Sequence, residues 1–179
     1  MNKPNELLNI SSEITYQVGG LLPCSLVNGP GMRTVVFLSG CKHNCPGCHN
    51  KELQDYKSGK TMTLSELLYE VNRSLNFGAR VTISGGEPFD QDISYLLQQL
   101  HEQGVNDIWV YTGYTIQDLL NSDKPYVRES LKYINVVVDG KFIQELSEPT
   151  SKYAASSNQR YNILENGLLV KSLENYCES

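Results

Sequence analysis

The chain has 179 residues, 40% of them hydrophobic and 20% charged, with a formal charge of −5 at neutral pH. That length fits one domain with a buried core, and the composition is that of a globular protein. With no run of Lys or Arg, the acidic balance argues against nucleic acid or a membrane surface as the main partner, and no stretch approaches the roughly 20 apolar residues of a bilayer span.

The stretch MNKPNELLNISSEITYQ lacks the basic start and apolar core of a secretory signal, so a cytoplasmic location is expected. In a reducing compartment, clustered cysteines bind metal or do redox chemistry more often than they form disulfides. Three of the five cysteines, Cys41, Cys45 and Cys48, fall within eight residues. Cys24 and Cys177 stand apart and read as a half-buried small residue and a free thiol near the tail.

In chain order, residues 1–13 read as a loosely held arm, and Ile14 to Val18 as a short edge strand. Asn28-Gly29-Pro30-Gly31 is a turn signal. Thr34 to Leu38 is apolar without alternation, which suits a strand covered on both faces of a parallel sheet. The cysteine loop follows. Thr63-Leu64-Ser65-Glu66 has the form of a capping box, opening a helix with Leu64, Leu67, Leu68, Val71 and Leu75 on one face.

Arg80 to Ser84 reads as a second strand, broken by Gly85-Gly86-Glu87-Pro88. The next helix places Ile93, Leu96, Leu97 and Leu100 at helical spacing, with Gly104 to stop it. Asp107 to Thr112 is a third strand; Gly113-Tyr114 turns the chain, and Thr115 with Asp118 opens a short helix. Val127 to Tyr133 is helical, and Ile134 to Val138 forms a fourth strand ending at Asp139-Gly140-Lys141. The polar segment 144–159 reads as a long loop of the kind that often carries function. Asn166-Gly167, between Tyr161 to Leu164 and Leu168 to Lys171, marks a hairpin, and residues 172–179 form a tail.

Strands alternating with helices imply right-handed βαβ units and a parallel sheet. The expected α/β fold is one domain over residues 1–179, an open, partial TIM-like βα barrel with mostly parallel strands and a C-terminal β-hairpin. The chain is too short for the roughly 250 residues of eight βα units. Sites in such sheets form at the carboxyl ends of strands. The cysteine loop, Gly85-Gly86-Glu87-Pro88, Thr112-Gly113-Tyr114 and Asp139 each follow a different strand at that end, so four unusual stretches face one rim.

Three thiolates suit zinc or an iron-sulfur cluster, and His43 or His49 as a fourth ligand would close a Cys3His zinc site. Position favours the cluster. A structural zinc commonly staples a small knuckle, whereas this loop lies at the functional rim, and three thiolates on a four-iron cubane leave one iron open to a small molecule. Gly85 and Gly86 let such a ligand lie against strand-end backbone, where free C=O and N–H groups would hold an amino acid's ammonium and carboxylate.

The spacing Cys41-x3-Cys45-x2-Cys48 followed by Gly85-Gly86-Glu87-Pro88 resembles the radical S-adenosylmethionine superfamily. More narrowly, Asn28-Gly29-Pro30-Gly31-Met32-Arg33, Ser39-Gly40-Cys41, Cys45-Pro46-Gly47-Cys48-His49-Asn50, Asp107 to Tyr114, Val138-Asp139-Gly140-Lys141-Phe142 and Ser156-Ser157-Asn158-Gln159 resemble the activating proteins of anaerobic (class III) ribonucleoside-triphosphate reductase, over about residues 16 to 164. The resemblance implies that Cys41, Cys45 and Cys48 ligate a 4Fe-4S cluster whose fourth iron is chelated by the methionine end of S-adenosylmethionine. Reductive cleavage would then yield a 5'-deoxyadenosyl radical that takes hydrogen from a glycine of the partner reductase, leaving a glycyl radical. No side chain is expected to act as acid, base or nucleophile.

By the same matching, Gly47, Cys48 and His49 would lie against S-adenosylmethionine, and Gly85 and Gly86 would hold its methionine end. Thr112 and Asp139 are candidates for the ribose or a nearby ion. Many superfamily members carry an aromatic residue just before the third cysteine, where this chain has Gly47; the His49 imidazole would supply the adenine stack instead. His43 reads as a loop residue, His101 as solvated, and Tyr111 and Tyr114 as packing residues rather than radical relays. Arg33 and Lys141 read equally as surface charges or as contacts to the anionic cofactor or the partner, and Asn158 and Gln159 match without a chemical role. The implied partners are the reductase and a low-potential electron donor such as reduced flavodoxin, in a homodimer or a heterotetramer with the reductase. Two alternatives stay open: activation of another glycyl-radical enzyme such as pyruvate formate-lyase, and a zinc-stapled binding module without catalysis.

Overall fold

The computed structural model describes residues 13–75, 79–147 and 152–176. Its strands are β1 (Thr15–Ser25), β2 (Arg33–Leu38), β3 (Lys60–Thr63), β4 (Arg80–Gly85), β5 (Asp107–Tyr111), β6 (Val136–Asp139), β7 (Arg160–Glu165) and β8 (Leu168–Leu173). They form one open sheet in the order β3-β1-β2-β4-β5-β6-β7-β8. The central run β2-β4-β5-β6 is parallel, while β1 and β3 on one flank and β7 and β8 on the other run antiparallel to their neighbours. The helices are α1 (Leu64–Ser74), α2 (Ser94–Glu102), α3 (Ile116–Leu120) and α4 (Pro125–Leu131).

Strand alternation sorts the sheet into two faces. Val36, Leu38, Val81, Ile83, Ile108, Val110 and Val137 point into the core shared with the helices, where Leu67, Val71, Leu96, Leu97 and Leu100 are wholly buried. Each such side chain contributes roughly 1.5–3 kcal/mol of hydrophobic stabilisation. The opposite face carries Trp109, Val136, Val138 and Tyr161 with Tyr153 in a second cluster. The helices cover one face of a sheet that stays open, in keeping with the partial barrel expected.

The helix signals hold. Thr63 and Glu66 form a reciprocal capping box at α1, as do Thr115 and Asp118 at α3. Gly104 follows α2 with φ +90, and Asn166 and Gly167 adopt φ of 50 and 81 in the hairpin turn, as a tight turn between twisted strands requires.

Three expectations are corrected. The first strand is not a short edge over residues 14–18: β1 spans 11 residues and pairs with β2 and β3, which leaves β3 as the edge. Gly19 and Gly20 hid it, because they sit at a register shift between Val18 and Gly20 that bends the strand without ending it. Cys24, read as half-buried, is exposed near the end of β1, whereas β2 is buried as expected, with parallel β4 on one side and antiparallel β1 on the other. The final strand runs through Leu173 into the expected tail. Cys177 and residues 1–12 lie outside the described residues.

Candidate metal centre and its cavity

The chain leaves β2 through Ser39 and Gly40, whose φ of +96 puts its α-carbon face to face with the Tyr56 ring; a Cβ there would enter that ring. Gly40 N–H donates to Leu53 C=O at 2.8 Å and Cys41 N–H to Gln54 C=O at 2.9 Å, so residues 41–54 close on themselves as a loop. Within it Asn44 (φ 49) and Gly47 (φ 68) take left-handed turns, and Cys48 N–H donates to Cys45 C=O at 3.3 Å.

All three thiols are free and partly exposed. They line one cavity of about 380 Å³, together with His49, Gly85, Gly86, Thr112, Phe142 and Tyr153 among others. That volume lies in the roughly 300–1,000 Å³ range of small-molecule sites. Burial pushes the Cys41 thiol above its usual range, opposed by the backbone N–H groups of His43 and Asn44.

Of the expected site residues, Cys41, Cys45, Cys48, His49, Gly85, Gly86 and Thr112 meet at this cavity. Two do not line it. Gly47 backs onto Gln144, where a Cβ would come within 2.6 Å of the amide oxygen. Asp139 is buried, and its carboxylate accepts the Ile116 N–H at 2.6 Å at the start of α3. The strand-end backbone is also less free than its glycines imply. Gly85 C=O accepts from the Asn50 side chain at 3.0 Å and Gly86 N–H donates to Leu38 C=O at 2.7 Å, because the β2–β4 ladder continues to Gly85.

Thr112 faces inward to its neighbours: its hydroxyl donates to Glu87 at 2.8 Å and accepts the Tyr114 N–H at 3.1 Å. Neither histidine is placed as a fourth thiolate-site ligand. His43 Nε2 lies 3.0 Å from the Glu87 carboxylate, and His49 packs against Phe142 with ring centroids 4.9 Å apart. Among the described residues, no three His, Cys, Asp or Glu side chains converge on a single point as one metal ion requires.

Arg33 is a structural residue, not a cofactor or surface contact: it is fully buried and bound to Asp107, Thr82 and backbone carbonyls. Lys141 is exposed at a neighbouring hollow, which His43 and Tyr114 also line. Tyr111 is a packing residue whose hydroxyl donates to Tyr153 C=O at 2.9 Å, with its ionisation driven far up by burial. Gln159 ties residues 155–159 to the β6 exit: its amide accepts from Ala155 N–H at 2.8 Å and donates to Gly140 C=O at 2.9 Å. That segment contains a helical turn at Gln144–Leu146 and a bridge between Ser147 and Ser156. Sequence reasoning missed Phe142, Tyr153 and Gln159 as cavity walls; Phe142 and Gln159 lay inside matched motifs, but only the fold turns them toward the thiols.

Residues 27–162 match the family described as a 4Fe-4S single cluster domain. The chain therefore belongs to an iron-sulfur cluster class, and three thiols lining one cavity of ligand size are a donor set that suits a cubane with an open iron. QueE from Escherichia coli superposes with a TM-score of 0.53 at 20% identity, covering 62% of this chain and 57% of that one, a likeness of fold. The anaerobic ribonucleoside-triphosphate reductase-activating protein of Salmonella typhi is 40% identical over 145 residues, 76% of this chain and 92% of the relative. Its namesakes from Escherichia coli K12, 39% identical with the same coverage, and phage T4, 36% identical over 78% of this chain and 89% of the relative, agree. The chain belongs to this family of activating proteins, radical S-adenosylmethionine proteins with a 4Fe-4S cluster and S-adenosylmethionine as cofactors. The zinc-staple alternative falls with that membership. Among the described residues no helix is long and apolar enough to cross a membrane.

Proposed function

We propose that this protein, acting as a single radical S-adenosylmethionine domain, activates an anaerobic ribonucleoside-triphosphate reductase by forming a glycyl radical on it. Cys41, Cys45 and Cys48 would hold the cluster by their thiolates, leaving an open position for the methionine end of S-adenosylmethionine. Reductive cleavage of S-adenosylmethionine, and with it removal of a hydrogen atom from a glycine α-carbon of the reductase, is the chemistry the cluster would supply when bound.

The chain's own residues position and enclose. Gly85 and Gly86 leave the β4 exit without side chains beside the thiols. His49 and Phe142 present an aromatic wall suited to the adenine, which replaces the aromatic residue missing at Gly47. Gly47 acts through the turn it allows. Thr112 and Asp139 act on the rim, through Glu87 and the α3 start, rather than on the ribose.

The observation that carries this reading is that the three thiols and Gly85-Gly86 line one cavity. The test is anaerobic reconstitution with iron and sulfide, then reduction with S-adenosylmethionine present. About four irons per chain, release of methionine and 5'-deoxyadenosine, and a glycyl radical signal by electron paramagnetic resonance on added reductase are expected. Cys45→Ala should abolish all three. A radical signal on pyruvate formate-lyase alone would move the substrate to that enzyme, a choice the relatives' names weigh against.

A further inference from the structure

The Glu87 side chain is fully buried, and its partners come from three different loops of the rim. Oε1 accepts from Phe89 N–H at 3.1 Å and from the Thr112 hydroxyl at 2.8 Å. Oε2 accepts from Gly113 N–H at 2.8 Å and lies 3.0 Å from His43 Nε2. The Glu87 N–H donates to Gly40 C=O at 2.7 Å, one residue before Cys41. One residue therefore joins the exits of β2, β4 and β5.

His43 sits midway between Cys41 and Cys45, and its side chain is 10% exposed. Its ring rests edge-on against Tyr114, with centroids 4.6 Å apart, and the Tyr114 hydroxyl donates to Asp90 at 3.0 Å. On its other side lies Gly113, where any Cβ would enter the imidazole. The ring is thus fixed by a hydrogen bond, an aromatic edge and a glycine left open for it. A carboxylate offers about four lone-pair sites, and those of Glu87 meet four partners, which leaves none for a ligand's ammonium.

We infer that the His43–Glu87 hydrogen bond is the strap that sets the thiolate loop against the Gly85-Gly86 backbone, which makes both residues positioning residues for the cluster and for S-adenosylmethionine rather than ligands of either. The inference rests on the cluster reading above. Partners one shell out from metal ligands alter affinity or activity by about 10–100-fold when removed, and among the described residues the other side-chain hydrogen bond from residues 41–54 to the β4 exit is Asn50 on Gly85.

The experiment compares the full chain with His43→Ala, His43→Gln and Glu87→Gln, each reconstituted anaerobically. Iron per chain, the electron paramagnetic resonance spectrum of the reduced cluster with and without S-adenosylmethionine, KM and kcat for its cleavage, and thermal unfolding of the iron-free chain are read. For His43→Ala, KM should rise about tenfold or more, and the spectral change induced by S-adenosylmethionine should weaken, while the iron-free melting point stays close to wild type. His43→Gln keeps an N–H donor and should recover most of the loss. Glu87→Gln presents an amide where two donors converge and should follow His43→Ala. Wild-type iron content, spectrum and KM in His43→Ala overturn the strap, as does a collapse of its iron-free fold. A defect confined to Glu87→Gln also overturns it, because that is the behaviour of a direct contact to the ligand. If Glu87→Gln does not fold, the His43 pair decides alone. A wild-type chain that takes up no iron refutes the cluster reading instead.

Discussion

Arg33 and Glu87 are both fully buried charges, placed at opposite ends of the same parallel strands, and they do different things. Arg33, at the amino end, donates through Nε to the Thr82 hydroxyl at 2.8 Å and through both Nη atoms to the Asp107 carboxylate at 2.9 and 3.0 Å. Its remaining donors reach the carbonyls of Pro30, Val81 and Asp107, and the guanidinium lies 5.3 Å from the Trp109 ring centre. None of these polar partners lines the cavity. Glu87, at the carboxyl end, bonds His43, Thr112 and Gly113, all of which do. A buried charge by itself does not mark a site; what distinguishes the two is whether the partners are strand starts or cavity walls, the division expected between the stability and active faces of a βα barrel.

The largest effect should come from breaking the amino-end clamp. Arg33→Met leaves the Val81 carbonyl and one face of Asp107 without donors and should destabilise the iron-free chain by about 3 kcal/mol, read by urea unfolding, while the folded fraction still binds iron normally. Next, Gly113→Ala displaces the His43 ring without straining the backbone, so the KM for S-adenosylmethionine should rise about tenfold with little change in unfolding. Equal loss of stability in both variants would erase the contrast between the two ends.

A smaller effect lies far from either. Thr63→Ala removes half of the α1 capping box and should cost about 1 kcal/mol without changing cofactor binding. The Glu66 carboxyl is held below its usual range by the Thr63 N–H and then by the Thr63 hydroxyl. That stabilisation is complete at neutral pH and is lost as pH falls through the lowered value. The variant keeps the residue-63 N–H, so in acid the two chains should differ less only by the share of the Thr63 hydroxyl bond to the carboxylate, the cap on the Glu66 N–H remaining as the pH-independent difference.

Much of this was legible locally. Helices α1 to α4, the capping boxes of α1 and α3 and the Asn166-Gly167 turn follow from short-range pattern, because a cap or a tight turn involves residues within a few positions of each other; α4 alone lies two residues earlier than its Val127 to Tyr133 reading. The cysteine spacing and the glycine pair pointed to the cofactor site for the same reason. What could not be read depends on partners far along the chain. The Arg33 side chain meets Asp107, 74 residues away, and Asp139 meets Ile116 across 23; from sequence alone each was an available charge near a motif. β1 was cut short because two glycines look like a turn until β2 and β3 are seen to pair through them.

The sequence by itself determined the alternation of strands and helices, the three-thiol loop and the side-chain-free β4 exit, since each is written in contiguous residues with a fixed chemical meaning. Only the tertiary structure decided which polar groups remain for a ligand. Assembly of the open sheet and its loops commits Thr112, Asp139 and the Gly85 carbonyl to protein partners, brings Phe142 beside His49, and sets His43 against Glu87. Hydrogen-bonding capacity is finite, and how it is shared out depends on distance in space rather than along the chain.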